Sequence, residues 1–256
     1  MTPFWLTAFL DLPTPYFGRT VRFWADVTGY EVSPVRGADG EFASLLPPAG
    51  DEHLRVQRVA DGEPRIHLDL HVADPAAAAW SAEEAGATRV AEAGHVVMRS
   101  PGGLDFCLVT HPASRRASPA QWPEGASMVD QVTLDIPALD YDAECDFWAA
   151  VLGAPWRPSP THVEFRRIVL PGLPLGVLLQ RVAEAEGGVR AHLDLAAEDR
   201  HAEVRRHLAL GARVSAEHLQ WSVMTDPAGS SYCITGRTPG TANPTTNAGP
   251  ARDGQV

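Results

Sequence analysis

Two stretches, Phe23-Trp24-Ala25-Asp26-Val27-Thr28-Gly29 and Phe147-Trp148-Ala149-Ala150-Val151-Leu152-Gly153, read as one helix end written twice in the same chain. Working outward, the match extends in order along both copies. Val56-Gln57-Arg58-Val59 recurs as Leu179-Gln180-Arg181-Val182, and His67-Leu68-Asp69-Leu70 recurs as His192-Leu193-Asp194-Leu195. Met98, Pro101, Gly103, Phe106 and Cys107 recur as Met224, Pro227, Gly229, Tyr232 and Cys233. Only small loop insertions separate the copies. Two long units are too few for a solenoid, so the chain is a duplicated domain.

Within each copy the pattern reads strand, helix, three strands, then the same again. Apolar positions Phe17, Val21, Trp24 and Val27 recur at helical spacing, and Gly29 stands where a left-handed cap is wanted. Asp74-Pro75 supplies a second helix start and Gly86 its stop; Asp199 and Gly211 bracket the equivalent helix of the second copy. Ser100-Pro101-Gly102-Gly103 and Asp226-Pro227-Ala228-Gly229 suit type I turns between strands. The division expected is a first module over 1–112, a linker over 113–126, a second module over 127–236, and a disordered tail over 237–256. That tail has almost no large apolar side chain to repay its ordering.

Composition narrows the function. With 21 basic against 32 acidic side chains the net charge is -11, which disfavours nucleic acid and anionic lipid surfaces. The longest apolar stretch, 168–179, is broken by Pro171, Gly172, Pro174 and Gly176 and cannot span a bilayer as a helix. The amino-terminal stretch is a poor signal peptide, and three cysteines form no disulfide framework, so a cytoplasmic protein with reduced thiols is expected.

In the strand 66–72, alternation puts His67, Asp69 and His71 on one face and Leu68, Leu70 and Val72 on the other. The leucine face packs on helices. The polar face recurs as His192 and Asp194, which favours a concavity over open solvent. Gln57 and Gln180 end apolar strands, and Cys107 and Cys233 lie on the last strand of each copy.

These features together, with Val129-Asp130-Gln131-Val132-Thr133-Leu134 and the Asp-Pro-Ala-Gly turn, resemble the vicinal oxygen chelate superfamily of glyoxalases, extradiol dioxygenases and bleomycin-binding proteins. The resemblance covers about residues 3–111 and 127–236. It implies an α+β fold of two tandem glyoxalase-like modules, each a pair of β-α-β-β-β units forming a cupped sheet. It also implies metal-ligand positions at Thr7, Gln57, His67 and Cys107 and at Gln131, Gln180, His192 and Cys233. This set departs from the family: cysteine stands where a last-strand carboxylate is usual, and Thr7 is no strong ligand.

The expectation is therefore a small-molecule-binding protein without a catalytic metal, sequestering a drug-like or aromatic compound. No cofactor is expected, and the ligand would be held by Gln131, Gln180, His192, Cys233 and Trp221 in module two and by Gln57, His67 and Cys107 in module one. The alternative is a glyoxalase or lyase-type enzyme, a dioxygenase being disfavoured. It would use a divalent metal at Gln131, Gln180 and His192, or a dyad in which Asp194 orients His192 (or Asp69 orients His67) as a general base. A ligand-free scaffold is the third reading. The halves could close within each module or be exchanged between modules; short connections favour closure within each. The partner is a small molecule, and the chain a monomeric pseudo-dimer or a homodimer.

Overall fold

The computed structural model describes residues 2–92 and 94–243. Module one runs β1 (Trp5–Pro13), α1 (Thr14–Thr28), β2 (Glu31–Val32), β3 (Phe42–Leu46), β4 (Leu54–Val59), β5 (Arg65–His71), α2 (Pro75–Glu84), β6 (Thr88–Glu92), β7 (Val96–Arg99) and β8 (Asp105–Val109). Module two opens with β9 (Ala120–Trp122) and β10 (Gly125–Ile136), then α3 (Tyr141–Leu152), β11 (Trp156–Pro158), β12 (Phe165–Ile168) and β13 (Gly176–Arg181). It continues with β14 (Arg190–Ala197), α4 (Arg200–Ala209), β15 (Arg213–Glu217), β16 (Trp221–Thr225) and β17 (Ser231–Thr235).

The sheet order is β2-β3-β4-β1-β5-β8-β7-β6 in module one and β11-β12-β13-β10-β14-β17-β16-β15 in module two. Each half is thus one β-α-β-β-β unit. The units of a module meet where β1 runs antiparallel to β5, and β10 to β14. Both cups close within their own modules, because the connections over 60–64 and 182–189 are too short to carry the second half elsewhere.

Alternation then decides what each cup contains. On β1, Leu6, Ala8, Leu10 and Leu12 pack into the helix-side core, which leaves Thr7, Phe9 and Asp11 on the other face. On β10 and β14 the same parity sends Gln131, Thr133 and Asp135, and His192 and Asp194, to the cup side while Val132, Leu134, Leu193 and Leu195 enter the core.

Helix punctuation follows the sequence reading. Gly29 and Gly153 cap α1 and α3 in the left-handed region at φ 69°, where a side chain would cost energy. Asp74 accepts the Ala77 N–H and Asp199 the Ala202 N–H, so both side chains satisfy otherwise unpaired first-turn donors.

Helix faces also join the modules. Phe23 packs on Tyr232 and His207, and Phe106 on Phe147 and Trp148. Trp24 Nε1 donates across the junction to Asp226 (3.0 Å). Arg206 of α4 donates to the carbonyls of Asp26 and Val27 at the end of α1, where helix carbonyls lack internal partners.

Within the linker, β9 forms a hairpin with β10, and Ser114 and Arg115 donate their N–H groups to Asp51. One expectation needs correction. The tail is not loose from residue 237. Arg237 pairs with buried Asp130 at 2.7 Å, and the buried Asn243 side chain bonds Leu170 N, Leu173 O and Leu175 O. Hydrogen bonding, not apolar burial, holds this stretch. The rest of the expected tail, 244–256, lies outside the described residues.

Candidate functional site

In module two, β10, β14 and β17 bring four side chains to the cup floor. His192 Nδ1 faces an Asp135 carboxylate oxygen at 3.0 Å, and its Nε2 lies 3.3 Å from Asp194 Oδ1 and 3.6 Å from Cys233 Sγ. Asp194 Oδ2 accepts hydrogen bonds from Gln131 Nε2 and from Thr133 Oγ1 (2.8 Å). Its Oδ1, fully buried, has no neighbour of this kind other than His192 Nε2 among the described residues.

Electrostatics sets the protonation of this floor. Burial would push the His192 imidazole down, but the carboxylates on its two sides outweigh burial and hold its pKa well above the ordinary value. Burial would likewise raise Asp194, yet His192 and the donors around it keep the pKa below normal. The Cys233 thiol is pushed up by burial, with His192 opposing. These opposing influences favour the protonated imidazole beside Asp135 and Asp194 and the neutral thiol at Cys233.

The walls differ from the floor. The cavity, of about 220 Å³, is lined by Phe165, Trp221 and His162, packed edge-on or tilted against one another, with Arg167 beside Phe165 on the same face of β12. Arg167 makes no carboxylate ion pair among the described residues; its nearest bond is a long 3.4 Å contact to the Ala242 carbonyl. His162 Nε2 reaches Gln220 Oε1 (3.0 Å), joining the 159–164 loop to the β15–β16 turn.

Module one repeats the floor with different walls. His67 Nδ1 lies 3.0 Å from Asp11, and His67 Nε2 lies 3.8 Å from Asp69, with Cys107 beside it. Asp11 also pairs with Arg65 (3.1 Å), and Phe9 stacks on the His67 ring at 4.7 Å. The cavity here is larger, about 580 Å³, and more charged, with Arg36, Arg55 and His95 in its lining.

The structure brings Gln131, Gln180, His192, Cys233 and Trp221 to one cavity and Gln57, His67 and Cys107 to the other. Thr7 is not in the module-one lining; it is tied to His71 Nε2 at 2.9 Å. Sequence reasoning missed Asp11, Asp135, Thr133, Phe165, Arg167, His162 and Arg237. A signal existed for two of them: Leu10-Asp11-Leu12-Pro13 recurs as Leu134-Asp135-Ile136-Pro137. The last strand brings no carboxylate to the cup floor beside His192, but Asp194, two residues beyond His192, does.

A family model described as a glyoxalase-like domain matches residues 7–109 and again 131–235. No curated protein matches in sequence. Among solved structures, the Mn(II)-bound glyoxalase from Novosphingobium aromaticivorans is similar at 19% identity and a TM-score of 0.65, covering 90% of this chain and 80% of that one. A mutant 4-hydroxymandelate synthase from Streptomyces coelicolor is similar at 17% identity and 0.59, covering 93% and 94%. The 2,2',3-trihydroxybiphenyl 1,2-dioxygenase from Sphingomonas wittichii is similar at 16% and 0.56, covering 90% and 88%. At such identities the likeness carries the fold alone.

Proposed function

The chain belongs to the glyoxalase-like domain family, and from that premise we propose that its module-two cup binds a small planar aromatic compound bearing an acidic oxygen. The observation that carries this reading is an aromatic cluster of Phe165, Trp221 and His162 beside the half-buried Arg167, which lacks a carboxylate partner among the described residues. An aromatic ring gains from edge-on and stacked contacts with such a wall. A guanidinium held in place without a partner offers two parallel donors to a carboxylate or phenolate. Ligand pockets of this kind combine a mainly apolar lining with a few convergent polar groups.

In this reading Trp221 and Phe165 hold the ring and exclude water from one side. Arg167 fixes the acidic group, and Gln180 and Gln220 offer amide groups at the cavity edge. His192 presents its protonated ring at the floor as a donor, not a base. Binding without turnover, hence sequestration, needs nothing further.

A second reading, a glyoxalase or lyase-type enzyme, is favoured by one observation: His192, Asp194 and Cys233 each turn a ligating atom toward a common point. Their imidazole, carboxylate and thiol fit a divalent ion, which would supply Lewis-acid polarisation of a bound oxygen. Gln131 and Thr133 then orient Asp194, and Asp135 orients His192.

The test is tryptophan fluorescence titration of the full chain with benzoate, 4-hydroxybenzoate and phenylglyoxylate. Saturable quenching that Arg167→Gln weakens about tenfold or more supports the reading. Unsaturable quenching for all three, or no effect of the substitution, refutes it.

A further inference from the structure

We infer that the module-one cup is a separate site for a small phosphate monoester, whose phosphate group is held between Arg36 and Arg55. The inference goes beyond the module-two reading and does not depend on it.

Duplication makes the two cups comparable position by position. Phe42 and Ser44 of β3 lie opposite Gln57 and Arg55 of β4, and in module two Phe165 and Arg167 of β12 lie opposite Gln180 and Leu178 of β13. The phenylalanine and the glutamine are kept, but the arginine has changed strands: Arg167 stands opposite Leu178 where Ser44 stands opposite Arg55. Val96 pairs with Leu108 and Ser222 with Ile234, each the residue after a cup cysteine, so His95 takes the place of Trp221. Module one thus has an arginine and an imidazole where module two has a leucine and an indole.

The serine that stands in for Arg167 recruits a second guanidinium. Arg36 donates from Nη2 to Ser44 Oγ (3.1 Å) and from Nη1 to Ser33 Oγ (3.2 Å), and its backbone pairs with that of Phe42 at 2.7 and 3.0 Å. Both side-chain partners are neutral, so the group is fixed in place while its charge is not cancelled. Arg55 meets Glu52 through Nη2 at 2.9 Å, whereas its buried Nε has no hydrogen-bond partner among the described residues.

The carboxylates around the cup are already matched. Asp11 has Arg65, Asp69 has His67, Asp105 has Arg99 and Glu52 has Arg55, which leaves Arg36 without a counter-ion among the described residues. Burial opposes ionisation of Glu52, but its backbone N–H and the charges of Arg55 and Arg36 outweigh it. One carboxylate therefore answers two guanidiniums.

A phosphate monoester suits this arrangement. It carries about 1.5 to 2 negative charges at neutral pH and three strong acceptor oxygens, whereas a carboxylate, with one charge and two oxygens, is satisfied by a single guanidinium. The cavity of about 580 Å³ is large enough to enclose the esterified remainder beside Phe9, Phe42 and Gln57.

The test is isothermal titration calorimetry of the full chain with phenyl phosphate and with inorganic phosphate, at low salt. The expected result is a saturable site for phenyl phosphate that survives Arg167→Gln, binds inorganic phosphate more weakly and loses affinity as salt is added. Arg36→Gln and Arg55→Leu, the second copying module two, should each weaken it about tenfold or more. Circular dichroism checks that each variant is folded; if Arg55→Leu is not, the exposed Arg36 decides alone. No saturable binding, equal affinity for inorganic phosphate, or binding that Arg167→Gln abolishes and Arg36→Gln leaves unchanged overturns the inference. Benzoate binding by Arg36→Gln would leave the proposed function standing.

Discussion

His192 holds Nδ1 3.0 Å from Asp135, on the neighbouring strand β10, and this contact aims the opposite ring nitrogen at Asp194 and Cys233. Asp135→Asn keeps the shape of the side chain but removes the charge that polarises the ring. Outer-shell carboxylates of this kind are worth roughly 10- to 100-fold in metal affinity. The variant should therefore bind Zn²⁺ about that much more weakly in module two, measured by competition with a chromophoric chelator. Unchanged affinity would mean that the ring is oriented by packing alone.

Acid sensitivity should be concentrated in the junction between modules. Burial opposes ionisation of Glu203, but His207 and the two guanidinium bonds from Arg206 outweigh it and depress the pKa to about 2. A carboxyl depressed on folding stabilises the protein above its unfolded pKa of about 4.3 and loses that contribution as pH falls through about 2. The contribution is on the order of 2–3 kcal/mol. Glu203→Gln should flatten the decline of urea-measured stability between about pH 5 and pH 2, relative to wild type. Parallel curves for the two proteins would contradict this.

The stretch after β17 should prove structural. Asn243 satisfies one backbone N–H and two carbonyls of the 170–175 loop from a fully buried position. Asn243→Ala leaves those groups unpaired, and each buried orphan costs about 1–3 kcal/mol. A loss of about 2 kcal/mol or more is expected in chemical denaturation. A change within about 0.5 kcal/mol, as for an ordinary surface substitution, would place the residue outside the folded unit.

The duplication made the fold legible before any coordinates, because Phe-Trp helices, Gly caps, Asp-initiated helices and Pro-Gly turns repeat in the same order. Alternation on the His-Leu-Asp-Leu strands also told which side chains face the cup. Asp11 and Asp135 were passed over because each sits near a strand end before proline and reads as solvent-facing, whereas pairing with β5 and β14 buries it against a histidine. Arg167 and Phe165 lie on a short strand with no strict alternation. Residues 237–243 carry no apolar pattern at all; the Asn243 amide, the Arg116 and Arg237 guanidiniums and the Asp130 carboxylate order them, and such long-range hydrogen bonds leave no periodicity in sequence.

A small molecule binds in the module-two cup, against its aromatic wall and Arg167, in the account given above. The most direct measurement is a thermal-shift screen of aromatic carboxylates and phenolates on four proteins: wild type, Trp221→Ala, Arg167→Gln, and Gln57→Ala as a module-one control. A ligand specific to the folded state raises the apparent melting temperature by an amount that grows with the logarithm of its concentration over its Kd. Compounds should stabilise wild type and Gln57→Ala alike and lose most of the shift on Trp221→Ala and Arg167→Gln. A shift that survives both module-two substitutions and vanishes with Gln57→Ala would contradict the account.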